Sequence, residues 1–219
     1  TMSIRLQTLA VFAQEAASLL LHAAQDGNIE AQTYLGSLNE DLSQLMEVCQ
    51  CSALCIHGLD GDTNGGIRGA SAVDFLHNAH SWYDSASEEG CCVATRMLGL
   101  LYMRGRGLEP SRTQAYQHFV RASQCGDNSA HYLAGLCAER GITGADHINN
   151  AARPDLALAL GFYERGAAAG QVDCMYSYGH LLVRRAVEAL GSLVPGLSLD
   201  AAVEKGMLSP ADKNKYNMT

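Results

Sequence analysis

The sequence predicts an all-α fold in which short helices pair into hairpins and the hairpins stack into a solenoid. Two observations lead to this prediction: a composition that favours helices, and a pattern of glycine and alanine that recurs four times. Of the 219 residues, 47% are hydrophobic, which excludes a largely disordered chain, and only four are proline. Runs of β-branched residues are short, so a sheet-rich fold is not expected.

Four glycines mark the recurring pattern, and we call them the anchor glycines: Gly27, Gly90, Gly126 and Gly170. Successive anchors are 63, 36 and 44 residues apart. Small residues lie eleven and four positions before each anchor, and bulky residues lie eight and seven positions before it. This spacing is that of one face of an amphipathic helix. A glycine in a left-handed backbone conformation is then expected to end that helix.

A second helix is predicted after each anchor. The residues four positions after the anchors are small: Ala31, Ala94, Ala130 and Cys174. The residues nine positions after the anchors are all glycine: Gly36, Gly99, Gly135 and Gly179. We expect these small residues to let the second helix pack closely against the first helix of the same hairpin. Because one hairpin cannot bury its apolar face alone, the hairpins are expected to stack.

This pattern resembles that of Sel1-like repeats, which are related to tetratricopeptide repeats. The second hairpin matches the motif best, at Ala79, Trp82, Ala86, Gly90, Ala94, Leu98, Gly99, Tyr102, Gly105 and Gly107. The first hairpin departs from the motif, since Asn39 replaces the tyrosine and no Gly-x-Gly follows. The resemblance implies a right-handed αα-superhelix with an adaptor or scaffold role and without enzymatic activity.

We interpret residues 1–219 as one solenoid domain of about four such hairpins, with an insertion after the first. The expected segments, in chain order, are repeats at approximately 4–38, 71–107, 111–141 and 154–190, an insertion at 39–70 and a C-terminal extension at 191–219. A function that is specific to this chain, and not shared by the repeat family, is expected in the segments that depart from the repeat.

Residues 40–57 of the insertion are expected to form an extra helix, and the glycine-rich loop that follows contains the first half of an EF-hand calcium loop. Asp60, Asp62 and Asn64 would supply the oxygen ligands at loop positions 1, 3 and 5. Position 12 is Ser71, so the bidentate carboxylate of such a loop is missing. A linker rich in Asp, Asn and Gly is therefore the favoured interpretation. A calcium- or metal-binding module at 49–71 is kept as the alternative.

The eight cysteines do not form the paired knuckles of a structural zinc site. Three of them, with one histidine, lie within 49–57, but a second knuckle is missing. Either Cys91 or Cys92 could form a disulfide with Cys125, because these residues fall in adjacent turns. Cys137 and Cys174 are expected on packing faces, where a free cysteine packs as a small hydrophobe. The redox compartment therefore stays open.

Several classes of function are disfavoured. A net charge of −8 without a basic stripe argues against nucleic-acid binding. No apolar run approaches the roughly 20 residues of a spanning helix, although peripheral docking on a membrane complex stays compatible. The eight histidines are scattered and no catalytic constellation is recognisable, so neither an enzyme nor a cofactor is expected.

The partner-binding surface is expected on the first helices, which line the concave wall of the superhelix in the family that this chain resembles. The residues ten and six positions before the second, third and fourth anchors are His80, Asp84, Tyr116, Val120, Leu160 and Glu164. By helical spacing these positions point away from their own hairpin. Apolar residues there fit a surface that a partner covers, unless flanking insertions cover them instead.

The expected function is that of a scaffold, as a structural or accessory subunit of a larger protein assembly. Thr1 precedes Met2, and 12 of the 15 basic residues are arginine, which is compatible with a mitochondrial subunit that has lost a presequence. A secreted or periplasmic bacterial interaction protein is the alternative. Several native disulfides would favour that oxidising alternative.

Overall fold

The structure is a computed structural model of the chain, and it describes residues 15–49, 71–143 and 154–193. These residues form eight α-helices and no strand, which confirms the all-α prediction. The described part of α1 spans 15–25. The other helices are α2 (Ile29–Cys49), α3 (Ala72–Glu88), α4 (Cys92–Arg104), α5 (Arg112–Cys125), α6 (Asn128–Glu139), α7 (Leu156–Ala168) and α8 (Val172–Leu193).

Every anchor glycine lies in the turn between the two helices of a hairpin. The φ angles are 87° at Gly27, 93° at Gly90, 109° at Gly126 and 84° at Gly170. Residues with a Cβ rarely adopt this left-handed region, whereas glycine enters it without a steric penalty. The predicted left-handed turns are therefore confirmed at all four anchors.

The second helices differ in length because only two of them meet a second terminating glycine. Fifteen positions after the anchor, α4 is followed by Gly105 and α6 by Gly141, whose φ angles are 65° and 74°. The corresponding residues of α2 and α8 are Leu42 and Arg185. Accordingly, α4 and α6 have 13 and 12 residues, whereas α2 and α8 have 21 and 22.

The long α2 changes the interpretation of the insertion. A separate extra helix was expected to begin near residue 40, but α2 is one continuous helix through Cys49. The Asn39 side chain donates a hydrogen bond to the Leu35 carbonyl within this helix, 2.8 Å away. Residues 39–49 are therefore an extension of the first repeat, and 50–70 lie outside the described residues.

Side-chain caps define where the later first helices begin. Ser71 and Asp74 form a reciprocal capping box at the start of α3. Ser111 caps α5 by accepting a hydrogen bond from the Gln114 amide. Asp155 caps α7, with 2.9 Å between its Oδ1 and the Leu158 amide nitrogen. These caps satisfy amides that an α-helix leaves without partners at its N-terminus.

The small residues after the anchors pack in two different ways. Four positions after the anchor, Cys174 is buried within its own hairpin, where a Cβ on Gly166 would collide with its sulfur. Nine positions after the anchor, a Cβ on Gly135 would come within 2.5 Å of the Tyr163 ring of the next repeat. The prediction of packing within the hairpin is thus correct at the first position and wrong at the second.

Helices that are consecutive in sequence pack against each other. The α6 and α8 helices, which are not consecutive, also make a small contact. The junctions between hairpins are α2 with α3, α4 with α5, and α6 with α7. Each buried apolar cluster is built from helices that are near in sequence. This is the contact pattern of a solenoid, in which each repeat is stabilised by its neighbours.

Candidate protein-binding face

The six predicted contact residues lie on the first helices α3, α5 and α7. Asp84 and Glu164 are exposed, while His80, Tyr116 and Val120 are half-buried. A row of half-buried side chains flanked by exposed charges can bind a partner without first opening the core. We call these five residues the first-helix face.

Leu160 does not belong to this face, since its side chain is only 8% exposed. It packs in a cluster with Ala138 of α6, Tyr163 of α7 and Leu181 of α8. The expectation that Leu160 points outward is therefore wrong. Helical spacing placed it outside its own hairpin, but the neighbouring second helices supply the apolar side chains that bury it.

A cluster of three aromatic rings joins the second and third repeats, and we call it the ring cluster. The rings of His80 and Tyr102 meet edge to face, with centroids 5.9 Å apart, and His80 Nε2 is 3.4 Å from the Tyr102 hydroxyl. Tyr102 is stacked on His118 at 5.4 Å. Because the rings come from α3, α4 and α5, they continue the face across a repeat junction.

Two members of the ring cluster were missed as site residues in the sequence. In the sequence, Tyr102 stands out only as a motif tyrosine, and His118 only as the bulky residue eight positions before the third anchor. Both signals were visible, but the sequence does not show that the two rings stack on each other and reach His80. That contact requires the register between α4 and α5.

The two histidines of the ring cluster are mainly neutral at pH 7, because their pKa values are lowered. Burial is the main cause that lowers the pKa of His80 and of His118 below 6.5. The Arg121 guanidinium lowers the pKa of His118 further, whereas the Asp84 carboxylate opposes the shift at both histidines. Neutral imidazoles can donate one hydrogen bond and accept another, which suits recognition of polar groups.

The face becomes apolar toward the fourth repeat. Tyr116 and Val120 pack against a cluster that contains Phe119 and Phe162. The Arg165 guanidinium lies 4.9 Å from the centroid of the Phe162 ring, within the range of a cation–π contact. The first-helix face and the ring cluster together therefore combine polar rings at one junction with apolar surface at the next.

Four of the described cysteines, a disulfide pair and two buried thiols, have structural environments. Of the two alternatives, Cys92 forms the disulfide with Cys125, and Cys91 stays free. Cys137 and Cys174 are buried, and burial raises the pKa of each thiol to about 11. Because the thiolate is the reactive form, a raised pKa makes these two thiols unreactive. They pack as small hydrophobes, as expected.

The predicted metal ligands cannot be placed. Asp60, Asp62 and Asn64 lie outside the described residues, as do the cysteines and the histidine of 51–57. Within 15–49, 71–143 and 154–193, no group of three or more His, Cys, Asp or Glu side chains is arranged to hold a metal ion. Ser71, the twelfth position of the candidate calcium loop, caps α3.

An apolar cavity of about 420 Å³ lies on the side of the second helices. It is lined mainly by α2 and α4, including Ile29, Tyr34, Val93 and Met97. None of the six residues that were predicted to contact a partner is among its lining residues. Each helix in the part of the chain that the structure describes is too short or too polar to cross a membrane bilayer.

Comparison of the sequence with protein-family models and with curated proteins gives no match. Solved structures do match. A Sel1 repeat protein from Oxalobacter formigenes is 23% identical, with a TM-score of 0.55; the match covers 76% of this chain and 54% of that one. A protective antigen of uropathogenic Escherichia coli strains that displays an SLR fold is 20% identical, with a TM-score of 0.53.

The second match covers 77% of this chain and 28% of the antigen. This chain therefore spans little more than half of the first protein and less than a third of the second. At these identities the comparison establishes the fold. The chain has the Sel1-like repeat fold, the helical solenoid that its repeated residues predicted.

Proposed function

We propose that this chain is a non-catalytic scaffold or adaptor that binds other proteins through the first-helix face. The observation that carries the proposal is the continuity of this face across repeats: the ring cluster connects His80 of α3 to α5, which also carries Tyr116 and Val120. These side chains stand on helices that are packed on both sides, so little conformational entropy is lost when a partner binds.

The composition of the face also suits protein recognition. Tyrosine is among the residues that most often dominate binding energy, and it combines an apolar body with a hydroxyl. The exposed carboxylates of Asp84 and Glu164 lie at the rim, where charges act mainly on partner choice and association rate. Partners with basic residues around an apolar centre fit this arrangement.

Binding is favoured over catalysis by the chemistry of the described side chains. A nucleophile requires a base within hydrogen-bond reach and a third group that orients the base. The two buried free thiols have raised pKa values, and the histidines of the ring cluster contact a tyrosine. These contacts support recognition and provide no activated nucleophile.

The finer proposal is a structural or accessory subunit of a larger assembly. The Cys92–Cys125 disulfide supports a secreted or periplasmic location over the mitochondrial one, because disulfides persist mainly in oxidising compartments. The candidate calcium loop is interpreted as a linker. Its twelfth position, Ser71, caps α3, which supports this interpretation. Calorimetric titration with calcium checks this, and we expect no heat of binding.

Affinity purification of the full chain from its native source tests the proposed function. We expect a reproducible set of co-purifying proteins that the double variant H80A/Y116A retains poorly. V93A is the matched control, because Val93 is exposed on the second helix α4. A chain that purifies alone, or partners that are retained equally by both variants, would contradict the proposal.

A further inference from the structure

The outer surface of α8 repeats a pattern that is covered in the other second helices. We call the residues two, six, nine and thirteen positions after an anchor the outer stripe. In α8 the stripe consists of Val172, Tyr176, Gly179 and Val183. Val172, Tyr176 and Val183 are 73%, 75% and 44% exposed, and a Cβ on Gly179 would meet nothing within 4 Å.

In the three earlier hairpins, the glycine of the outer stripe is a seat for an aromatic ring. The rings of Tyr83, Phe119 and Tyr163 lie against Gly36, Gly99 and Gly135, respectively. Each ring comes from the position seven residues before the next anchor. A first helix with a large side chain at this position is therefore the occupant that an outer stripe accepts at every internal junction.

The residue thirteen positions after the anchor, the last of the outer stripe, matches the polarity of the end of the seated side chain. The Tyr163 hydroxyl donates a hydrogen bond to Glu139 Oε2, 2.9 Å away. Phe119 has no hydroxyl, and the corresponding stripe residue is Met103, which packs in the same apolar cluster. The corresponding residue of α8 is Val183, so its seat fits a side chain with an apolar tip.

Helix α1 presents the other half of this junction. Seven positions before its anchor it has Leu20, whose tip is apolar. The neighbouring Leu19 is 70% exposed, whereas the corresponding Phe162 is buried at a junction. Among the described residues, no helix precedes α1 and none covers the outer stripe of α8.

We propose that α8 of one molecule binds α1 of a second copy, head to tail, with Leu20 seated on Gly179. The contact continues the series of internal junctions, with the same helix types in the same order. It is heterologous, because two different surfaces meet, so each added copy can bind another and the assembly grows as a chain or closes as a ring.

A polar pair supports the same register. At two of the three internal junctions, the sixth residue after one anchor meets the first residue after the next: Thr33 meets Cys91, with Oγ1 and Sγ 3.4 Å apart, and Arg96 forms a 2.6 Å ion pair with Asp127. In the proposed contact these positions are Tyr176 and Asn28. A phenol and an amide can form a hydrogen bond there.

Sedimentation equilibrium of the full chain, from micromolar to the highest soluble concentration, tests the proposal. We expect the weight-average mass to rise above the monomer mass of 23.4 kDa as the concentration increases. V183E should weaken the association by about tenfold or more, because it buries an unpaired carboxylate at the contact. V93E is the matched control, since Val93 is also 44% exposed but lies on α4.

A second variant separates association from folding. G179A has space in the isolated chain, so the fold should persist, yet its methyl group should obstruct the seat as a Cβ would at Gly135. We expect weaker association and an unchanged circular dichroism spectrum. A chain that stays monomeric at every concentration would overturn the proposal, as would association that V183E and G179A leave unchanged or that V93E weakens equally.

Discussion

At the scale of single residues, one residue type has opposite roles in neighbouring repeats. Gly135 is required because the Tyr163 ring occupies the place where a Cβ would be. Gly179 occupies the same position in its repeat, but the space around it is open. The four glycines are equivalent in the sequence. Their effect on stability differs, because it depends on whether a side chain of the next helix packs against them.

The glycine pair yields a direct stability prediction. G135A should lower the free energy of unfolding by about 1–3 kcal/mol, because the added methyl group overpacks the junction. G179A should raise it by up to about 1 kcal/mol, since alanine is the better helix former where no clash opposes it. Urea denaturation of both variants at low protein concentration measures the difference; equal effects would contradict the seat description.

The hydrogen bond between Tyr163 and Glu139 yields a second prediction. Y163F should cost about 1.5–3 kcal/mol of stability, the range for a hydrogen bond to a charged group. The double variant Y163F/E139M should recover most of that loss, because it recreates the Phe119 and Met103 pair of the preceding junction. Urea denaturation of the wild type and these variants checks both values, and a double variant less stable than Y163F would refute the pairing.

At the scale of helices, glycines determine where elements end, and this part was predictable. The left-handed turns at the anchors follow from glycine chemistry and appear where the pattern placed them. The continuation of α2 past residue 40 was not predicted, although the missing terminating glycine was visible in the sequence. An apolar stretch near residue 40 was interpreted as a new helix because periodicity alone does not reveal where one helix stops.

The disulfide acts at this scale, since it ties α4 to the end of α5. Cys92 and Cys125 are 33 residues apart, and closing such a loop in the unfolded chain corresponds to roughly 3–4 kcal/mol in the chain-entropy description. C92A/C125A should lose stability of that order in denaturant unfolding, while C91A should not. Mass spectrometry of blocked thiols verifies the pairing, and a Cys91–Cys125 bridge would contradict it.

At the scale of the whole molecule, the repeat explains both the fold and the continuity of the first-helix face. The positions of His80, Asp84, Tyr116, Val120 and Glu164 could be predicted because helical spacing defines which residues leave the hairpin. The burial of Leu160 and the stacking of Tyr102 on His118 could not be predicted. Both depend on contacts between helices whose register the sequence does not state.

Site-specific photo-cross-linking tests the central claim most directly, namely that partners bind the first-helix face. A photoreactive amino acid is placed at Asp84, at Glu164 or, as the control, at Val93, all of which are exposed. We expect covalent adducts with the same partner proteins from Asp84 and Glu164, and few from Val93. Adducts that form only from Val93, or equally from all three positions, would contradict it.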